Sequence, residues 1–257
     1  MSGILHTSEQ TLGRCMCIIT GASKGFGRAL AHLVLYNLKP GSGLLLVARS
    51  RPLLQELKEE LLQSLEGMQN LTIDYTAVDL STKEGVENIV DMAKQMSLKE
   101  LDHVLLVNNA ASLGDISPFE SFTELNRVNA YLALNISSVL ALTAGVLQAF
   151  PPRARLRWSV VNCSSTFALQ ARPSWVLYCT AKAAREMMFR VLAVENPKVK
   201  VLSYSPGPMD TEMQRDIQRL TGIQYHLHPC RESATKLMRV LLDNDFATGS
   251  HLDFFEL

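Results

Sequence analysis

The chain has 257 residues, 47% of them hydrophobic and 19% charged, with 25 Lys and Arg balanced by 25 Asp and Glu. That apolar fraction excludes a disordered chain, and the zero net charge excludes bulk electrostatic attraction to nucleic acid or to an anionic membrane. The longest apolar stretch, 139–150, holds Thr143 and Gln148 and is too short to span a bilayer, while residues 1–14 lack the apolar core of a signal peptide.

Residues 1–14 read as a flexible polar arm, and 15–257 as a single domain. The apolar run 16–20 predicts a buried strand, followed by helical periodicity over 28–38. Pro40-Gly41-Ser42-Gly43 breaks the chain before a second strand at 44–48, and Pro52 opens a second helix from a favoured early position. A third strand falls at 72–78, and the Ser81-to-Glu84 capping-box pattern starts the third helix. The alternation continues with a strand at 103–107, helix over most of 124–150, a strand at 159–163 and helix at 175–194. A strand at 199–204, helix at 231–243 and a short final strand at 251–255 complete the chain. Apolar strand runs separated by helices predict one Rossmann-type, doubly wound α/β domain: a mostly parallel sheet of about seven strands, helices on both faces. Ligands of such sheets bind beyond the carboxyl ends of the strands.

The five cysteines, at 15, 17, 163, 179 and 230, are scattered through apolar segments and read as reduced, partly buried thiols of a cytosolic protein. His226, His228 and Cys230 form a ligand-like cluster with no second cluster at zinc spacing, so no metal site is predicted.

The first strand runs into Gly21-Ala22-Ser23-Lys24-Gly25-Phe26-Gly27 and then a helix. Glycines at such a turn let the backbone approach a diphosphate, and the helix N-terminus favours the anion. The spacing is G-x-x-x-G-x-G and departs from the general dinucleotide fingerprint. A chain that binds NAD would place a carboxylate about twenty residues on. Here the second strand ends on Ala48-Arg49-Ser50, and a guanidinium and a hydroxyl suit a 2′-phosphate, with Lys24 as a second cation. The expected cofactor is NADPH.

Tyr178 and Lys182 lie four residues apart, on one helical face. Ser165 follows the fifth strand, Asn108-Asn109-Ala110-Ala111 follows the fourth, and Asn135 lies in the long helical stretch after it. Together with the glycine loop, these motifs resemble the short-chain dehydrogenase/reductase family over nearly the whole chain, although Ala111 stands where the family usually has Gly. The resemblance implies that Tyr178 donates a proton to a carbonyl oxygen held by Ser165, with Ser164 beside it, while hydride reaches the carbon. Lys182 would lower the phenol pKa and hold nicotinamide-ribose hydroxyls, and Asn135 would position a water linking Lys182 to solvent. Asp79 and Leu80 would meet the adenine, Asn108 the cofactor, and Gly207, Pro208, Met209, Asp210, Thr211, Glu212 and Met213 the nicotinamide and substrate side.

Residues 109–115, 175–185, 205–211 and 251–254 further resemble the pterin-reducing branch of the family. The resemblance implies a small pterin ketone as substrate, with Asp253 accepting hydrogen bonds from the pterin edge, and a homodimer built on the long helices. A general carbonyl reductase is the nearest alternative. A non-catalytic NADPH sensor would not need Asn135, Ser165, Tyr178 and Lys182 together.

Overall fold

Strand β1 (Cys15–Thr20) buries all six of its residues, as an unbroken apolar run does when both faces of its sheet are covered. The computed structural model describes residues 10–65, 70–96 and 100–257. The other strands are β2 (Gly43–Ala48), β3 (Thr72–Ala77), β4 (His103–Asn108), β5 (Arg157–Cys163), β6 (Val199–Ser205) and β7 (Ser250–Asp253). They form one seven-stranded sheet in the order β3-β2-β1-β4-β5-β6-β7, parallel at every pairing. The helices are α1 (Gly25–Leu35), α2 (Arg51–Gln63), α3 (Lys83–Gln95), α4 (Leu125–Leu132), α5 (Ser138–Ala149), α6 (Val176–Glu195), α7 (Glu212–Thr221) and α8 (Cys230–Asp243).

The strand pleat sorts the core into two layers. Cys15, Cys17 and Ile19 pack with Leu30 and Val34 of α1, Leu57 of α2 and Leu237 of α8. Met16 and Ile18 pack on the opposite face with Ile89 of α3, Leu142 of α5 and Phe189 of α6. Each of these buried aliphatic or aromatic side chains contributes roughly 1.5–3 kcal/mol. The doubly wound α/β sheet expected from the sequence is therefore the observed fold.

Several local expectations differ. Leu12 is fully buried and its N–H donates to the Asn37 carbonyl, so the packed domain begins ahead of Cys15 and the arm does not run to residue 14. Residues 1–9 lie outside the described residues. Helix α3 is capped by Thr82, which accepts from the Gly85 N–H at 3.0 Å, because Ser81 instead donates to Asp79. The helix predicted over 124–150 is interrupted by a π-type turn, Ala133–Ser137. The whole segment Leu125–Ala149 is long and apolar enough to cross a membrane by length and composition, yet it packs Val139, Leu142 and Val146 into the core. Strand β7 stops at Asp253, where a 3₁₀ turn (Phe254–Glu256) begins, and α7 was not anticipated.

Candidate active site

The connections that leave the neighbouring strands β1 and β4 run in opposite directions, to β2 on one side and β5 on the other, and a crevice opens at the carboxyl ends of the strands. It forms a cavity of about 1120 Å³. At one end lies the glycine loop. A Cβ on Gly27 would stand 2.3 Å from the Gly21 carbonyl oxygen, so glycine alone lets α1 start this close to the strand. Among the described residues no side chain caps the first turn of α1, and Gly21, Ser23, Lys24, Gly25 and Phe26 line the cavity there. This bare backbone cradle with an uncapped helix N-terminus fits a diphosphate. Arg49, Ser50 and Leu80 line the adjoining wall.

Four residues expected to touch a cofactor do not line this cavity. Ala22 is fully buried and donates its N–H to the Val47 carbonyl, and Gly27 serves the packing just described. Asp79 turns back on its own loop: hydrogen bonds from the Ser81 N–H and hydroxyl hold its carboxyl below the usual range. Asn108 is 1% exposed and points its amide at Thr143 on α5. The next residue, Asn109, takes the cavity side, donating from Nδ2 to the Thr20 and Gly21 carbonyls. Lys24 lines the mouth of the cavity but is ion-paired with Glu212 of α7, so any 2′-phosphate contact would compete with that pair.

At the centre of the cavity, α6 presents Tyr178 and Lys182 one turn apart beside Ser165. Lys182 is 6% exposed, its Nζ donates to the Cys163 carbonyl at 2.7 Å, and it lies 5.6 Å from the centroid of the Tyr178 ring. Burial first, and the Arg185 guanidinium second, bring the Lys182 ammonium down to about 7. Burial raises the phenol above its ordinary value, and the groups opposing that rise are Ser165, by a hydrogen bond, and Arg185, by its charge. The Lys182 ammonium sits over the ring face, bonded elsewhere.

Asn135 stands in the π-type turn, 2% exposed and outside the cavity lining. Its Nδ2 donates to Ser112 Oγ and the Tyr131 carbonyl, and its Oδ1 accepts from the Ser112 N–H, so both amide protons are already engaged. Ser164 lines the cavity, but its hydroxyl donates inward to Glu186 at 2.5 Å.

The far end is aromatic. Trp175 meets Phe167 at 5.1 Å and Tyr178 at 5.6 Å, both edge-on. Opposite, Gly207, the segment from Pro208 to Met213, and Asp253 line the wall. The strand alternation expected around Asp253 is replaced by a cap: its Oδ1 accepts from the Phe255 N–H at 3.0 Å, with Glu256 completing a capping box. His226 and His228 stack edge to face at 5.4 Å, and His228 packs against Phe254 at 4.3 Å, so the cluster shapes the cavity rim.

The model of the family described as short chain dehydrogenase matches residues 16–221. Sepiapterin reductase of Rattus norvegicus is 44% identical over 261 residues, covering 96% of this chain and 98% of that protein. The chain belongs to the short chain dehydrogenase family. It is an oxidoreductase by that membership. Sepiapterin reductase of Xenopus laevis is 43% identical over 258 residues, covering 95% and 97% of the two chains. A short chain dehydrogenase structure from Salmonella enterica superposes with a TM-score of 0.78 at 24% identity, covering 96% of this chain and 99% of that one, which speaks for the fold.

Within this short chain dehydrogenase, sequence reasoning passed over Arg185, Glu186 and the aromatic wall. Arg185 is 1% exposed and joins Asn162 Oδ1 at 2.8 Å to the Asn108 carbonyl at 2.5 Å, clamping the ends of β4 and β5. An arginine one turn beyond Lys182 on the same helix was the available signal.

Proposed function

We propose that this chain is an NADPH-dependent reductase of pterin side-chain ketones, such as sepiapterin and 6-pyruvoyl-tetrahydropterin, in tetrahydrobiopterin biosynthesis. The observation that carries this reading is the set of polar groups that line one cavity. A phenol and a hydroxyl, Tyr178 and Ser165, stand at one position, and a carboxylate, Asp253, also lines the substrate side. A pterin presents a ketone at one end and a 2-amino and ring N–H edge at the other, which call for those two kinds of group. The relatives named sepiapterin reductase support the same substrate.

The N–H groups of the glycine loop would hold the diphosphate, and Arg49 with Ser50 the 2′-phosphate. NADPH, when bound, supplies the hydride for the carbonyl carbon. Ser165 hydrogen-bonds the carbonyl oxygen and Tyr178 donates its proton there, a task worth about 10²–10⁴-fold in rate. Lys182 keeps N–H donors beyond the one on Cys163 for the ribose hydroxyls. The engaged amide of Asn135 leaves an Oδ1 lone pair for a water, and the segment from Pro208 to Met213 covers the nicotinamide side.

The buried free thiols Cys15, Cys17 and Cys163 suit a cytosolic, reducing compartment. Exposed apolar side chains on α5 and α6, Leu140 at 54% and Val194 at 81%, support a homodimer through these helices, which light scattering would test. The aromatic wall at Trp175 and Phe167 would also accept non-pterin ketones, so a general carbonyl reductase is the second reading.

The experiment that separates the two readings is Asp253→Asn, assayed with sepiapterin and with a small diketone that has no pterin ring. An anchoring carboxylate loses roughly tenfold or more on sepiapterin, about 1.4 kcal/mol, and leaves the diketone rate alone. Parallel loss on both would reduce Asp253 to its capping role.

A further inference from the structure

Beneath the cavity, a buried polar chain joins elements that the chemistry of the ketone leaves unconnected. His251 on β7 lies between α6 and β6: its Nδ1 is 2.6 Å from Glu186 Oε1 and its Nε2 is 2.8 Å from Ser205 Oγ. The same Glu186 oxygen accepts from the Ser164 hydroxyl. Glu186 and Ser164 are each 3% exposed and Ser205 is 2% exposed. Burial alone would raise the Glu186 carboxyl, but hydrogen bonds from His251 and Ser164 outweigh it and hold the group ionised. A carboxylate can only accept, so His251 donates from Nδ1 to Glu186, and its Nε2 pairs with the Ser205 hydroxyl.

Each member neighbours a group that faces the cavity. Ser164 precedes Ser165, and Glu186 is one helical turn beyond Lys182 and two beyond Tyr178. Ser205 leads into Pro206 and Gly207 of the lining, and His251 is two residues before Asp253 on the same face of β7. The chain thus ties the ends of β5, β6 and β7 to the helix that carries the phenol. Both bonds fall on Oε1, while Glu186 Oε2 is buried with no hydrogen-bond partner among the described residues, so the carboxylate depends on Ser164 and His251 for its place.

We propose that Glu186 and His251 are positioning residues that fix Ser165 and Tyr178 relative to Asp253 in the cavity lining. They thereby favour ketones long enough to reach both. The inference rests on the ketone-reductase reading but does not require that the ketone be a pterin.

The test is steady-state kinetics with NADPH for wild type, His251→Phe and His251→Gln on three ketones: sepiapterin, benzil, and the short diketone diacetyl. Phenylalanine keeps the ring volume and cuts both bonds, whereas glutamine restores one donor and one acceptor. The expected result is a KM roughly tenfold or more higher for sepiapterin and benzil in His251→Phe, with kcat changed less than about threefold. Diacetyl kcat/KM stays within about twofold, which also reports that the variant is folded, and His251→Gln recovers most of the loss. Proton NMR supplies a second readout: a far-downfield, slowly exchanging imidazole N–H in wild type, absent from His251→Phe and shifted upfield in Glu186→Gln. Equal losses on long and short ketones, or no change on any, would overturn the proposal. Wild type that reduces benzil but not sepiapterin would overturn the pterin reading alone, and the positioning claim is then read on benzil.

Discussion

Replacing Lys182 with methionine should stabilise the dinucleotide-free protein at neutral pH and destabilise it in alkali. Burial and the neighbouring Arg185 charge move the ammonium from 10.5 down to about 7 in the native state. At about 1.4 kcal/mol per unit, the charged native form is penalised by roughly 4–5 kcal/mol relative to the unfolded chain. The penalty is complete below the native value, because there both states hold the proton. It shrinks as pH rises between the two values, where only the unfolded chain is protonated, and it vanishes above the unfolded one. Against it stands the hydrogen bond to the buried Cys163 carbonyl, whose loss costs about 1–3 kcal/mol at any pH. The variant should therefore be more stable by roughly 1–4 kcal/mol near pH 6 and less stable by roughly 1–3 kcal/mol in strong alkali, with the crossover at about pH 8–10. Urea unfolding of both proteins across that range measures it. A variant less stable than wild type at every pH would refute the reasoning, since Lys182 would then be carried without a desolvation penalty.

Tyr178→Phe should lower turnover by about 10²–10⁴-fold while NADPH binding, followed by fluorescence titration, stays nearly unchanged. Arg49→Asp should weaken NADPH by roughly 10- to 150-fold and NADH much less, because only the former carries the 2′-phosphate; equal losses in the two titrations would instead indicate a damaged fold. Gly27→Ala sets a methyl 2.3 Å from the Gly21 carbonyl oxygen, so the strand–helix turn must open, and the melting temperature and dinucleotide affinity should both drop. Retained NADPH binding in Gly27→Ala would show that the cradle tolerates a wider turn.

The sheet was readable because β1, β2 and β4 each hold a continuous apolar stretch and are buried along their whole length. Helix α7 was hidden because it is short and mostly polar, although Met213, Ile217 and Leu220 keep helical spacing. Tyr178 and Lys182 could be paired from sequence, being one turn apart on a single helix. The Glu186–His251 bond could not, since its partners come from α6 and from the last strand and meet only once the sheet is assembled. Asn108 and Asn109 show the limit of motif reading. They are chemically identical neighbours at a strand end, and the local backbone turns one amide toward Thr143 and the other toward the glycine loop. The surroundings of Lys182 were also out of reach, because spacing shows that it is near Tyr178 but not that its ammonium donates to the Cys163 carbonyl. Leu12 ahead of the first strand is fully buried, yet a single leucine offers no periodicity that would mark it as part of the packed domain.

The central claim is tested most directly by following nicotinamide absorbance when sepiapterin is added to purified protein and NADPH. Sepiapterin-dependent oxidation of NADPH, strongly favoured over NADH and lost in Tyr178→Phe, is the predicted result. Reduction of diketones with no consumption of NADPH on sepiapterin would contradict it.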